Sequence, residues 1–451
     1  MLLMNHIWLY IRQEDLAVEW EQLSDEGRDV SSLQKEYDLL RSSDLENSPE
    51  MQARARQLLD QAQSLPLRED YPFAEPSGLE EIRALRPSGP RRMTSYLPNE
   101  ELLDRVHAAW LGRCAGNLLG KPVEGWLAGR IQGLLQDSQA YPLSGYFRSD
   151  ISGDLLQKYS IGPADTFINN VSHAVEDDDL NYTVTGLAIL DQHGPDFTPE
   201  DVANFWLWNI PVLRTCTAER IAYRNFSLLI PPPRSAVYRN PYREWIGAQI
   251  RADFWGYAAL GDPERAAEYA WRDASISHIK NGIYGAMWVA AMLAAAPFVD
   301  GEREVIRVGL SEIPADCRLA ADVQEVISWK DAGCSFDEAV SLVHKRWNEQ
   351  NSHHWCHTLS NAQLVAVGLL WGETDFGRSI CRAVQPGFDT DCNGATVGSI
   401  FGMMHGTKAI PEEWTSPLND TLETGITGYR MVRISELARK GFDLFLKHRT
   451  S

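Results

Sequence analysis

A chain of 451 residues is long enough for one large domain plus an extension, or for two or three smaller domains. Its composition, 44% hydrophobic and 23% charged, is that of a soluble globular protein with a sizeable core, and 15 tryptophans point to thick packing or aromatic-walled clefts. The net charge of −20 argues against a nucleic-acid partner, which demands a basic face, yet leaves room for a carboxylate-rich cleft that meets an anion through bridging metal ions.

In chain order, the opening "MLLMNHIWLYIRQEDL" has no basic lead and no apolar run of secretory length. Seven scattered cysteines without a CxxC pair fit reduced thiols in a cytoplasmic protein better than a disulfide framework. Residues 1–95 carry apolar positions at three- and four-residue spacing among dense charge, with Ser48-Pro49 as a helix start, and so predict a helical extension of two or three amphipathic helices. "EPSGLEEIRALRPSGPRRM" supplies the Pro and Gly breaks of a linker, and residues 96–451 then form the expected catalytic domain. Helices are predicted over 179–191, 200–213, 264–275, 335–347, 361–370 and 393–406, while the proline-rich 226–242 reads as loop or extended chain. The uncharged stretch 283–299 is short for a membrane span and has no companion, so it reads as a buried central helix. With no βαβ pattern and no internal repeat, the fold class is all-α, a large multi-helix bundle.

Three constellations carry chemistry. "LGRCAGNLLGKPVEGW" repeats glycine every fourth residue (Gly112, Gly116, Gly120) and ends on Glu124 in a Pro-initiated turn. "VEDDDLNYTV" crowds Glu176, Asp177, Asp178 and Asp179 at a helix start, where the dipole favours acids and where they could converge on a hard cation or simply open an acidic helix. "GFDTDCNGATVGSIFGMMHG" places Asp389, Asp391 and Cys392 before a second glycine ladder; one aspartate there could serve as an N-cap, but a second has less reason to be present. Interior helix glycines each cost about 1 kcal/mol, so the ladders imply close helix packing that brings these helix starts together. A zinc site at Cys356 with His353, His354 and His357 is conceivable but lacks a second ligand pair at finger spacing. A terpene-synthase-like reading of Asp177-Asp178-Asp179 fails at Asn181, where DDxxD needs an acid, and its second motif is missing.

Taken in this order, the three motifs resemble the ADP-ribosylglycohydrolase family over roughly residues 101–414. "GRCAGNLLGKPVE" is similar to the family's first-helix motif, "EDDDLNYTV" to its Thr-Asp-Asp-Thr motif, and "GFDTDCNGATVGSIFG" to its C-terminal Gly-Asp-x-Asp-Thr-Asn motif; "SHIKNGIYGAMWVAAM" and "AIPEEW" also match in place. The resemblance implies an all-α orthogonal bundle, two Mg²⁺ ions (Mn²⁺ possible), and hydrolysis of a glycosidic bond that releases ADP-ribose from a modified protein or small molecule. Its metal ligands would be Glu176, Asp177, Asp178, Asp389, Asp391 and Cys392. Glu124 would be the acidic catalytic residue beside Asp177 and Asp178, with Asn117, His278 and Gly282 near the substrate. Glu176 and Cys392 stand where the family has hydroxyl ligands, and Asn117 replaces an aspartate. These departures leave a catalytically silent ADP-ribose-binding relative as the alternative. The expected protein is cytoplasmic, bound to neither membrane nor nucleic acid, and a monomer or homodimer.

Overall fold

A computed structural model describes residues 10–163 and 166–449; most of the opening segment read for a leader lies outside the described residues. The extension contains helices α1 (Gln13–Asp25), α2 (Gln34–Arg41) and α3 (Pro49–Ala62), and α3 begins as read, with Ser48 Oγ accepting from Met51 N–H and proline in the first turn. These helices bury their own small core, in which Leu16, Tyr37, Leu40 and Leu58 meet and Trp20 stacks on Tyr37 at 4.0 Å. The stretch read as a linker is packed instead. It carries a short helix, α4 (Leu79–Leu85), because Ile82 is fully enclosed in the main core.

Buried ion pairs fasten this extension to the rest of the chain. Arg243 reaches Glu19 and Glu26, each at 2.6 Å, Lys280 reaches Glu26 at 3.0 Å, and Arg318 spans Glu75 and Glu244 at 2.9 and 2.6 Å. Charges removed from water persist only when paired in this way.

The body is helical, as the patterning predicts. Helix α5 (Asn99–Gly120) carries the first glycine ladder, and α6 (Asp178–His193) follows the acid run. Helix α7 (Lys280–Ala295) is buried along its whole length; its apolar stretch, extended to Phe298, is long enough to cross a membrane, but 89% of it lies inside the protein. Then come α8 (Thr358–Trp371), α9 (Phe376–Val384) and α10 (Thr390–His405), the last bearing the second ladder. Two local expectations shift. The helix expected over 200–213 ends at Asn209, where Pro211 blocks continuation, and the proline-rich segment holds the short helix Arg234–Val237. Among the described residues the one sheet is an antiparallel pair, β1 (Thr421–Glu423) and β2 (Met431–Arg433), with Leu422 opposite Val432. Three-residue strands are too short to print an alternation in sequence. Helix α11 (Ile434–His448) closes the chain.

The two ladders face each other. A Cβ on Gly116 would sit 1.9 Å from the Gly394 carbonyl oxygen, one on Gly112 would sit 2.1 Å from that of Gly398, and one on Gly120 would fall 2.3 Å from the Thr390 carbonyl. Helices α5 and α10 therefore run backbone against backbone, a separation only glycine allows. The contact carries the C-terminal end of α5 to the N-terminal end of α10, and Thr390 Oγ1 locks the joint by donating to the Gly120 carbonyl at 2.9 Å.

Candidate active site

The acids gather at that joint. Asp389 precedes α10 on a chain turned through the left-handed region at Gly387 (φ 83°) and Phe388 (φ 59°). A phenylalanine there is strained, and the surrounding structure must hold it. Phe388 is fully buried, against the His344 ring. Asn361 of α8 then fixes the start of α10: its Oδ1 accepts from the Asp389 backbone N–H at 3.2 Å and from Asn393 Nδ2 at 2.8 Å. Asp389 makes no side-chain cap, so capping does not explain it. Asp177 does cap: its Oδ1 accepts from the Asp179 N–H at 2.9 Å, while its Oδ2 takes the Lys121 ammonium.

The ligand atoms form three overlapping groups, each with its members within 4.8 Å of one another: Asp389–Asp391–Cys392, Glu124–Asp177–Asp391 and Asp177–Asp178–Asp179. Acids about 210 positions apart in the chain thus share one cleft, with Glu124 reaching it from the exposed turn that follows Val123. The crowding raises most of these carboxyl groups. Glu124 is pushed up to about 9, first by the charge of Asp391 and then by the dense packing around its carboxyl, although the residue as a whole stays exposed on its turn. Asp178 is pushed up to about 8 by burial and the charge of Asp177, and Asp391 up to about 6 by the same two causes. Burial and Asp391 raise Asp389. Asp177 alone falls below the usual range: burial would raise it, but Lys121 and the hydrogen bonds from Asp179 together outweigh that effect. So many hard oxygen donors at such spacing fit a divalent cation. A second sign is that Asp391 Oδ1 is buried with no hydrogen-bond partner.

Several expected residues stand elsewhere. The two oxygens of Glu176 face Arg214 at 2.7 Å and Asn181 at 3.3 Å, so Glu176, expected among the metal ligands, stands apart from the three groups. His278 is fully enclosed and lines an apolar cavity of about 190 Å³ with Ser77, Trp271 and Ile283, a cavity without any of these carboxylates. Gly282 packs against the His278 ring and the Arg243 carbonyl, so neither lines the acid cleft. Asn117 is buried, and its Nδ2 meets no acceptor among the described residues. Cys392 lies among the acids with its thiol donating to Asp179 Oδ2 at 3.2 Å, and burial pushes that thiol up.

The histidines named for zinc come together without Cys356, as His353 and His357 with Asp25. His353 Nδ1 accepts from Trp245 Nε1–H at 2.9 Å, and His357 Nδ1 accepts from the Leu359 N–H at 3.1 Å. Each neutral ring therefore carries its proton on Nε2, the nitrogen facing Asp25 or Glu244, and offers no lone pair there. Cys356 points instead to Asp389, at 4.0 Å.

Sequence reasoning missed three contributors. Sequence patterning gives Lys121 no role at the site, although its ammonium closes on Asp177 Oδ2. Arg113, fully buried in α5, donates to Thr183 Oγ1 at 2.7 Å and to the Ile250 carbonyl at 2.6 Å, and pairs with Asp179 at 3.3 Å and Asp253 at 2.9 Å. Asp179 is thereby fixed behind the cluster. The signal was present, since an arginine inside a stripe of Gly, Ala and Cys must find acids in the core. Third, the exposed Cys216 borders the site, its thiol raised chiefly by the charge of Asp178.

A helical body that draws two helix-start acid clusters into one cation-seeking cleft defines the class of protein. The family model for ADP-ribosylglycohydrolases matches residues 98–449, and the chain belongs to that family of hydrolases. The match takes in the C-terminal hairpin and α11 and stops short of the extension. Among solved structures, one chain from an ADP-ribosylglycohydrolase-related protein complex is similar, at 19% identity, covering 77% of this chain and 99% of that one, with a TM-score of 0.46. No curated protein matches the chain.

Proposed function

We propose that the protein is a divalent-metal-dependent ADP-ribosyl glycohydrolase that releases ADP-ribose from a modified protein side chain or small molecule. The observation that carries this reading is the convergence of Asp177, Asp178, Asp389 and Asp391 on one cleft in a member of this family. Breaking a bond at an anomeric carbon builds positive charge on the sugar, and the carboxylates stand ready to stabilise it. Glu124, on its turn over the cluster, moves a proton between the attacking water and the leaving atom. Asp389 and Asp391 would hold the ion, with Asp177 beside them, and its charge would let the polyanionic cleft accept a pyrophosphate and orient the ribose hydroxyls. The rigid α5–α10 joint keeps these groups in place. The seven unbridged cysteines support a cytoplasmic setting.

The test is release of ADP-ribose from arginine-, serine- and acetyl-linked conjugates with Mg²⁺ or Mn²⁺. Expected is turnover on at least one linkage, abolished by chelation and by Asp177→Ala or Asp391→Ala. No release with either metal, together with retained ADP-ribose binding, would establish a silent binding relative instead.

A further inference from the structure

The two groups that share Asp391 differ in what already occupies them. Around Glu124, Asp177 and Asp391 a cation is built in: Lys121 Nζ closes on Asp177 Oδ2, and the next strongest negative charges acting on this ammonium are Asp391 and Glu124, the other two members of the group. The group formed by Asp389, Asp391 and Cys392 meets this ammonium only through the charge on Asp391, and it contains the buried Asp391 Oδ1, which no basic side chain, hydroxyl or amide reaches. A buried carboxylate oxygen left bare is costly, and a cation is what would satisfy it.

Lys121 does not reach the cleft by chance of rotamer. Gly120 packs on the Thr390–Asp391 peptide, Thr390 Oγ1 grips the Gly120 carbonyl, and the tight turn Lys121–Val123, stiffened by Pro122, starts at once. The ammonium is thus delivered from the joint of the two ladder helices, on a side chain only 20% exposed. An ammonium and a divalent ion competing for the same Asp177 oxygen would repel each other at contact distance in a partly dry cleft. They exclude one another.

We propose that Lys121 is the resident cation of the Glu124–Asp177–Asp391 group, so that the cleft takes one divalent ion, seated by Asp389, Asp391 and Cys392, in place of two. This rests on the functional reading above for the presence of a metal at all. Lys121 acts here as a charge-placing residue, and its removal turns a one-ion cleft into a two-ion cleft. Were the ion to engage Cys392, the S–H bond would break and its proton would pass to Asp179 Oδ2, the acceptor that thiol already faces at 3.2 Å.

The experiment is titration of the full chain with Mn²⁺, counting ions by native mass spectrometry and by calorimetry, for the parent protein, Lys121→Met and Lys121→Arg. Expected is one Mn²⁺ per parent chain, two for Lys121→Met, which keeps the stem and loses the charge, and one for Lys121→Arg. Two ions in the parent protein would overturn the inference and leave the metal-dependent reading standing. So would a single ion of unchanged affinity in Lys121→Met, provided its circular dichroism matches the parent's. No ion in any of the three would sink the metal site of the proposed function, and this inference with it.

Discussion

Arg113 shows how a single residue holds the site from behind. Its guanidinium is wholly enclosed and pairs with Asp179 and Asp253, both also fully buried. Burial pushes both carboxyl groups above their ordinary range, and the Arg113 charge opposes that rise at each of them. Asp179 in turn accepts the Cys392 thiol, so the position of Cys392 depends on an arginine that touches no metal ligand proposed here. Replacing Arg113 by methionine fills most of its volume but leaves two buried carboxyls without a counter-charge. The expected loss is about 3–5 kcal/mol of unfolding free energy, measured as a lower urea midpoint at unchanged slope. Arg113→Lys would recover only part of it, since an ammonium cannot serve Thr183, Ile250 and both acids as one planar fork does. A loss below about 1 kcal/mol would mean that these acids are protonated in the fold and need no partner.

At the scale of elements, the paired ladders of α5 and α10 set the geometry on which the cleft depends. In an ordinary helix, Gly→Ala gains about 1 kcal/mol of propensity. At Gly394 the added Cβ would lie 2.4 Å from the Gly116 carbonyl oxygen, a backbone atom that cannot swing aside. Overpacking costs about 1–3 kcal/mol, and here it works against the propensity gain at the spot where the acids are aligned. Gly394→Ala is expected to lower the melting temperature and weaken Mn²⁺ binding, whereas Gly129→Ala, on an exposed helix with nothing within 4 Å of its Cβ, is expected to raise the melting temperature slightly. Equal effects at the two positions would remove the packing argument. The ladders were legible in sequence because a spacing of four is a local property of one helix, and so were the acid runs at helix starts. What Glu176 and Lys121 touch was not legible. Arg214 ends the short 3-10 helix Val212–Arg214, 38 positions beyond Glu176, and Asp177 lies 56 beyond Lys121, partners that no local period announces. The His353/His357 pair is a related case: the two rings do meet Asp25, as the residue types suggest, but the donors that fix their protons come from Trp245 and from the chain's own turn, which no local spacing shows.

For the whole molecule, two sets of buried carboxyls pull stability in opposite directions with pH. Along the seam with the extension, Glu26 and Glu75 lie below their ordinary range, held there against burial by Arg243 and Lys280 and by Arg318. Groups of this kind contribute stability that is present above the usual carboxylate range and is lost as pH falls toward their folded values. The cleft acts the other way. Asp391 at about 6, Asp178 at about 8 and Glu124 at about 9 all keep protons in the fold that the unfolded chain has already released, and Glu244, raised to about 7 by burial, does the same. Where the folded state binds more protons, stability falls as pH rises, so their contribution is whole below the unfolded carboxylate range and drains away between about pH 5 and 9. Calorimetry in a chelator should therefore show a melting temperature that peaks near pH 5 and declines steadily to pH 9. Saturating Mn²⁺ should flatten most of that decline, because a cation in the cleft favours the ionised forms of Asp391, Asp178 and Glu124, while Glu244, which lies against Arg318 and outside the cluster, keeps its share. A chelated protein whose melting temperature holds constant from pH 5 to 9 would show that the acids do not crowd one cleft.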